Sequence, residues 1–408
     1  MANSSCSSVN IPLLHTLHYN VTNTCNLGCS FCYIDAVKKK TADIPLWRIK
    51  KLAEEARRVG AVKVILSGGE IFARKDWYEV CAAFDCNGFS LSIVSNGTLI
   101  SSDYLNRLRD FSNIGIMLSL DGDAKAHDEI RGQNGAHQKT LSAIKAIRAS
   151  NIPVQVNATI IKSNLADSIY LANLSRELDV SMRFSLLNPY NGKGINSTPM
   201  ALDVKEVIEL REFCHELRKK GSKIFINLPP LLQYPEDVVP TRSPSCGWTK
   251  SYCGVTYDGH VTICGVAGAD KSLHQGNIME KPFDEIWLTS PLFNELRKLD
   301  ETNLKGICAR CPARKWCGGS CRLSAYKRDG DFTASLGICQ TFYDLGYIPE
   351  QVLDPMDFHS QTSSMPSIDM QLPSIADLMP EIVQIEPLGI FSKKQRVSLD
   401  ADPVVKNG

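Results

Sequence analysis

Residues 25–32 read Cys-Asn-Leu-Gly-Cys-Ser-Phe-Cys, so Cys25, Cys29 and Cys32 stand in a C-x3-C-x2-C spacing directly after the apolar segment 18–21. That spacing offers three thiolates to a cluster of four irons. A [4Fe–4S] cluster normally takes four cysteines, so the iron left without one is a Lewis-acidic open position. The competing reading is a structural zinc knuckle. Zinc sites usually pair a C-x2-C with a second pair of Cys or His, and neither residue occurs between Cys32 and Cys81.

Outward from this motif, strand-type apolar runs alternate with amphipathic stretches of helical period from about residue 18 to 225. Strands are expected at 18–22, 62–67, 90–95, 115–120, 154–161 and 182–187. Helices are expected at 46–59, 76–84, 102–109, 140–149, 165–178 and 204–220. Six such units predict an α/β fold, a partial (βα)6 TIM-like barrel open on one side, with its chemistry at the C-terminal strand ends. The polar candidates fall there. Cys25 follows the first strand, Ser67-Gly68-Gly69-Glu70 the second, Ser95-Asn96-Gly97 the third and Ser119-Leu120-Asp121-Gly122 the fourth.

The chain has 408 residues, room for two or three domains, and a hydrophobic fraction of 43%, that of a soluble globular protein. Lys plus Arg number 45 against 44 for Asp plus Glu, which argues against nucleic acid or a membrane surface as a partner. No apolar run is long enough for a membrane span and the N-terminus lacks signal-peptide regions, so a cytoplasmic location is expected. In a reducing compartment, 15 cysteines point to metal ligands rather than disulfides.

With these motifs in place, the chain resembles the radical S-adenosylmethionine (SAM) superfamily. The resemblance implies that the methionine half of SAM chelates the open iron. Reductive cleavage then releases a 5′-deoxyadenosyl radical that takes a hydrogen atom from the substrate. It implies roles for Phe31 near the adenine and for Gly68, Gly69 and Glu70 around the methionine amino group. Ser95 and Asn96 would meet the ribose or methionine part, Ser119 and Arg131 the methionine carboxylate, and Asn157 the adenine pocket. The family usually continues Gly-Gly-Glu with proline, where this chain has Ile71. From the residues alone, two glycines after a strand more often mark just a turn, and Arg131 without the neighbouring motifs would read as a surface partner of Asp128.

A second cysteine field follows a Pro-rich stretch at 227–244. Cys308, Cys311, Cys317 and Cys321 form C-x2-C-x5-C-x3-C, with Cys339 after them and Cys246, Cys253 and Cys264 before. Eight thiolates suffice for two fully ligated clusters, and a pair of zinc ribbons is the alternative. With Gly259 ahead of Cys264, the field resembles the SPASM domain. That resemblance implies interleaved ligand sets, Cys246, Cys253, Cys264 and Cys321 for one auxiliary cluster and Cys308, Cys311, Cys317 and Cys339 for the other. Three [4Fe–4S] clusters are therefore expected. Cys81, Cys86 and Cys214 are read as small buried hydrophobes. The expected organisation is a barrel over 1–225, a linker over 226–245, a SPASM domain over 246–345 and a tail over 346–408.

A fully ligated auxiliary cluster can relay an electron but cannot easily bind substrate. The resemblance accordingly implies a peptide-modifying maturase of natural-product type, with a flavodoxin or ferredoxin as reductant. Oxidation or epimerisation of a small polyol or aminocyclitol is the alternative. Gly265 argues against a sulfatase maturase, whose pattern has aspartate there. An iron–sulfur electron carrier is also considered, though it gains nothing from an open iron. Only 24 residues precede Cys25, so a separate protein is expected to bind any leader peptide, unless the tail contributes. Asn188, Tyr190, Asn191, Asp258 and His260 are candidates for substrate contact.

Overall fold

The computed structural model describes residues 12–39, 41–189, 192–193, 198–238 and 247–353. Seven parallel strands come first: β1 (Thr16–Asn20), β2 (Lys63–Ser67), β3 (Ser90–Ser95), β4 (Ile114–Ser119), β5 (Val154–Ile160), β6 (Ser181–Leu186) and β7 (Ile224–Asn227). Between them run α1 (Leu46–Arg58), α2 (Trp77–Asp85), α3 (Ser102–Leu108), α4 (Ala124–Arg131), α5 (Ala136–Ala149), α6 (Ser168–Glu177) and α7 (Val204–Lys219). The six expected strands lie within two residues of their observed bounds. The barrel goes one strand further than expected, because β7 is only four residues long and straddles the boundary placed at 225. Helix α4 was also not foreseen; Asp123 caps its start and Gly132, at φ +66°, ends it.

The strand order is β7-β6-β5-β4-β3-β2-β1-β8-β9, where β8 (Tyr252–Val255) and β9 (Val261–Thr262) belong to the cysteine-rich segment. Strand β8 pairs in parallel with β1, Leu17 opposite Cys253 and His18 opposite Gly254. The cysteine-rich segment thus adds strands to the barrel's own sheet. This makes β1 an interior strand, and all five of its residues are buried. Residues alternate between faces: Leu17 and Tyr19 join the core beneath the helices, while His18 and Asn20 face the barrel interior.

After β9 come α8 (Phe283–Thr289), α9 (Pro291–Lys298), α10 (Ile307–Arg310), α11 (Arg314–Cys317), α12 (Arg322–Asp329) and α13 (Gly337–Asp344). A second core gathers Ile307, Cys308, Leu336, Cys339 and Phe342, with Ile348 and Leu353 from the start of the expected tail. The rest of the tail and the candidates Tyr190 and Asn191 lie outside the described residues. Cys81 and Cys214 are buried as expected, but Cys86 is exposed. It follows the last residue of α2, where the chain leaves the core.

Candidate active site

The cysteine loop after β1 is pinned to the end of α4. The Gly28 N–H donates to the Arg131 carbonyl at 3.0 Å and the Ser30 N–H to the Ile130 carbonyl at 3.1 Å, while the Cys25 N–H donates to the Val37 carbonyl at 2.8 Å. A Cβ at Gly132 would lie 2.9 Å from the Gly28 carbonyl oxygen, which only glycine avoids. Cys25 is buried, and Cys29 and Cys32 are half-buried. Burial pushes the Cys25 thiol up to about 12, with Glu70, Cys29 and Cys32 adding to the rise, so the three thiols lie within electrostatic reach of one another. Burial raises Cys32 as well.

Several donors aim at these sulfurs. Asn96 Nδ2 lies 3.9 Å and the Leu27 N–H nitrogen 3.4 Å from Cys25 Sγ; Arg131 Nη1 is 3.6 Å from Cys29 Sγ, and the Ala36 nitrogen 3.3 Å from Cys32 Sγ. Such donors favour thiolates, the form that ligates a metal. The residues therefore fit an iron–sulfur cluster held by Cys25, Cys29 and Cys32.

The glycines make the cradle. A Cβ at Gly68, where φ is +134°, would meet the Thr22 carbonyl oxygen at 2.4 Å, and one at Gly69 the Thr24 carbonyl oxygen at 2.3 Å. The loop after β2 can therefore cross the start of the cysteine loop only with glycine at both positions. The Glu70 carboxylate is buried and accepts from the Phe72 N–H at 3.1 Å, Ser95 Oγ at 2.8 Å and the Asn96 N–H at 2.8 Å. Burial lifts its pKa against the pull of those donors. Ser95 Oγ also accepts from the Gly97 N–H at 2.9 Å, and Asn96 Nδ2 donates to Asn26 Oδ1 at 3.0 Å. The side chains of Glu70, Ser95 and Asn96 thus join three loops into one frame.

Arg131 is buried and donates through Nε to Asp121 Oδ2 at 2.6 Å. Burial works against its charge, yet Asp121 and Cys29 together hold its pKa above the ordinary arginine value. The surface pair with Asp128 is not formed, since Asp128 accepts from the Gly135 and His137 N–H groups instead. The guanidinium stands 5.7 Å from the Phe31 ring centroid. Ser119 is half-buried at the end of β4, and Asn157 Oδ1 accepts from Ser185 Oγ at 2.8 Å.

Sequence reasoning placed Asp121 among the polar strand ends but missed what it holds, and it missed Asn164, Tyr33, Asn20 and His18 behind the site. Asp121 Oδ1 accepts from the Thr159 N–H at 3.0 Å, and Asn164 Nδ2 donates to the Asp121 carbonyl at 2.6 Å. The Tyr33 hydroxyl is 2.9 Å from Ser67 Oγ and 3.5 Å from Asn20 Oδ1. Asn20 Nδ2 donates to the Gly265 carbonyl at 2.7 Å, and His18 Nδ1 is 2.6 Å from the Tyr252 hydroxyl. The period-two pattern of β1 was the available signal for His18 and Asn20.

Four cysteines of the second field converge. Burial raises the Cys339 thiol well above its usual range, and Cys308, Cys311 and Cys317 add to the rise. Their cavity is otherwise walled mainly by apolar residues, among them Pro229, Leu304, Ile307 and Leu336. Cys253 and Cys264 are close enough that the second lifts the first beyond the effect of burial. Cys321 Sγ lies 3.2 Å from Ser324 Oγ, and Cys246 lies outside the described residues. Among the described residues no three His, Cys, Asp or Glu side chains close around a single metal ion.

A cavity of about 860 Å³ opens between the ends of β5 to β7 and the cysteine-rich segment, its wall including Lys162, Arg183, Asn188, Phe225, Ile226 and Cys321. Asn188 Nδ2 donates to Ser324 Oγ at 2.6 Å, joining the two walls. Asp258 instead accepts from Thr256 Oγ1 and sits 3.2 Å from His260 Nδ1, within its own turn.

The family models agree with this geometry. Residues 19–169 match the radical SAM superfamily and residues 246–312 an iron–sulfur cluster-binding domain, SPASM. An AdoMet-dependent heme synthase of Methanosarcina barkeri is 29% identical over 79% of this chain and 95% of its own length. A PqqA peptide cyclase of Methylocella silvestris is 26% identical over 78% of this chain and 85% of its own. Among solved structures, Streptococcus suis SuiB bound to its precursor peptide SuiA superposes with a TM-score of 0.67, covering 81% of this chain and 76% of that one at 18% identity. That likeness is one of fold. The chain is an enzyme that belongs to the radical SAM superfamily and carries a SPASM iron–sulfur domain built onto its barrel.

Proposed function

We propose that the enzyme oxidatively modifies a ribosomally made peptide, by cross-linking or side-chain oxidation, using three [4Fe–4S] clusters. Cys25, Cys29 and Cys32 would hold the radical cluster, and the two interleaved cysteine sets the auxiliary ones. Bound there, cluster and SAM supply a 5′-deoxyadenosyl radical that removes a substrate hydrogen atom. The chain's own residues bind and aim: Gly68 and Gly69 open main-chain approach to the SAM amino group, Arg131 offers its guanidinium to the SAM carboxylate, and Phe31 and Asn157 border the adenine.

The observation that carries the peptide reading is the cavity. At about 860 Å³ it sits near the top of the ~300–1,000 Å³ range of ligand pockets, and its wall combines the barrel's strand ends with Cys321. Similarity to a PqqA peptide cyclase supports the same reading. A second reading, a haem-type tetrapyrrole, is favoured by the haem synthase relative and by Lys162, Arg183 and Arg218 in the cavity wall.

Anaerobic reconstitution with SAM and reductant tests the proposal. About twelve irons per chain are expected, three clusters of four, with 5′-deoxyadenosine formed by wild type and abolished in Cys32→Ala. Bound zinc, or no deoxyadenosine, overturns the reading. A turnover-dependent mass change in peptides, and none in iron porphyrins bearing propionates, separates the two substrate classes.

A further inference from the structure

Strands β8 and β9 sort two cysteines of the second field onto opposite faces of the sheet. In β8, Cys253 stands opposite Leu17 of β1 and Gly254 opposite His18, so Cys253 shares the face of Leu17 and points into the core beneath the helices. There it is fully buried in one cluster with Val255, Val261 and Ile263, its sulfur 3.4 Å from the Thr262 carbonyl oxygen. Cys264 lies on the other side. A Cβ at Gly254 would point beside His18 into the barrel, and it would meet the Cys264 carbonyl carbon at 2.3 Å, so the Cys264 main chain covers the barrel face. The sheet therefore stands between Cys253 and a cluster held by Cys264, and Cys253 does not fit a ligand set that includes both.

His18 stands on the face that Cys253 does not reach. It projects from β1 into the barrel, and the residue after Cys264 packs on its ring: a Cβ at Gly265 would lie 2.4 Å from His18 Cγ and Nδ1. The two ring nitrogens differ. Nδ1 is 2.6 Å from the Tyr252 hydroxyl, whereas Nε2, at the tip of the side chain, is buried without a hydrogen-bond partner. Buried polar atoms left in that state are rare in folded proteins. A hydrogen bond that fixes one nitrogen while the other presents its lone pair is how a metal-ligating histidine is oriented.

We infer that His18 Nε2, and not Cys253, is the fourth ligand of the auxiliary cluster held by Cys246, Cys264 and Cys321. The inference rests on the three-cluster reading above and changes one member of one ligand set. Imidazole in place of a thiolate removes a negative charge from the cluster and raises its reduction potential, which suits an electron acceptor. It also ties this cluster to β1, the strand that leads into the loop of Cys25, Cys29 and Cys32.

The probe is reconstituted protein with nitrogen-15 in its histidine rings, in which Cys25, Cys29 and Cys32 are replaced by Ala so that only the auxiliary clusters give a signal. Pulsed electron paramagnetic resonance after dithionite reduction is expected to show strong coupling to a histidine nitrogen. His18→Cys is expected to abolish that coupling and lower the midpoint potential, while about eight irons, two clusters of four, and the melting temperature are kept. Cys253→Ala, which removes only the sulfur, is expected to keep all the iron, and Cys264→Ala to lose about four atoms of it.

Absence of a histidine coupling, or its survival in a folded His18→Cys, overturns the inference. Loss of about four irons from a folded Cys253→Ala also overturns it, and restores the all-cysteine set. If Cys264→Ala keeps all its iron, no cluster is held there, and the three-cluster reading falls together with the inference.

Discussion

Asp121 is fully buried, and its two carboxylate oxygens serve different elements, one the Arg131 guanidinium and the other the Thr159 N–H of β5. Removing one member of a buried ion pair strands the other charge, at a cost of about 3–5 kcal/mol. Asp121→Asn is therefore expected to lower the unfolding free energy measured by urea titration by that order and to weaken SAM binding measured by calorimetry, because Arg131 loses the partner that aims it. His127 is buried beside this pair and accepts the Asp121 N–H at 3.1 Å. Burial lowers its pKa from 6.5 to about 4. Its stabilising contribution is complete above pH 6.5 and is lost as pH falls toward 4, since the unfolded chain binds a proton that the folded one refuses. The slope is at most ~1.4 kcal/mol per pH unit for one group. Unfolding titrations at pH 7 and 4.5 should show wild type losing more stability than His127→Gln. Asp121 and Arg131 were both visible in the sequence; their pairing was not, because ten residues and a whole helix separate them along the chain.

The joint between β1 and β8 is the element on which both halves depend. A Cβ at Gly265 would come within 2.4 Å of the buried His18 ring, and one at Gly254 within 2.3 Å of the Cys264 carbonyl carbon. Gly265→Ala is expected to cost about 1–3 kcal/mol by overpacking and to displace Cys264. The measurement is the melting temperature together with iron retained after reconstitution, both below wild type while the Cys25 site still cleaves SAM. Gly265→Asp, which restores the sulfatase-maturase pattern, should be worse, because it adds a carboxylate against a buried neutral imidazole. Strand β8 was hidden from a sequence reading: four residues, one of them glycine, inside a cysteine-dense segment carry almost no periodic signal.

At the scale of the molecule, the barrel and the cysteine-rich segment share one sheet, so they are expected to fold together. A fragment of residues 12–238 would expose the β1 edge Thr16–Tyr19 that β8 covers. Bare apolar edges pair with other chains, so this fragment should sediment as aggregates while 12–353 remains monodisperse. Ending the chain at 345 removes Ile348 and Leu353 from the core around Cys308 and Cys339. Described helices offer no span long and apolar enough to cross a membrane.

The sequence by itself determined the parts of this protein that are written locally. The three-cysteine spacing, the glycines after β2, the alternation of six strands with their helices and the C-x2-C-x5-C-x3-C run are all short-range patterns, each set by the geometry of one loop or one element. Only the tertiary structure decided what depends on distant segments meeting: the Asp121–Arg131 pair, the frame of Glu70, Ser95 and Asn96, the joining of β8 to β1 and the cavity along β7. Backbone periodicity and ligand spacing act over a few residues and leave their mark in order along the chain. Burial, ion pairing and sheet edges are set by packing, which brings together residues that the chain keeps 245 positions apart, as Asn20 and Gly265 are.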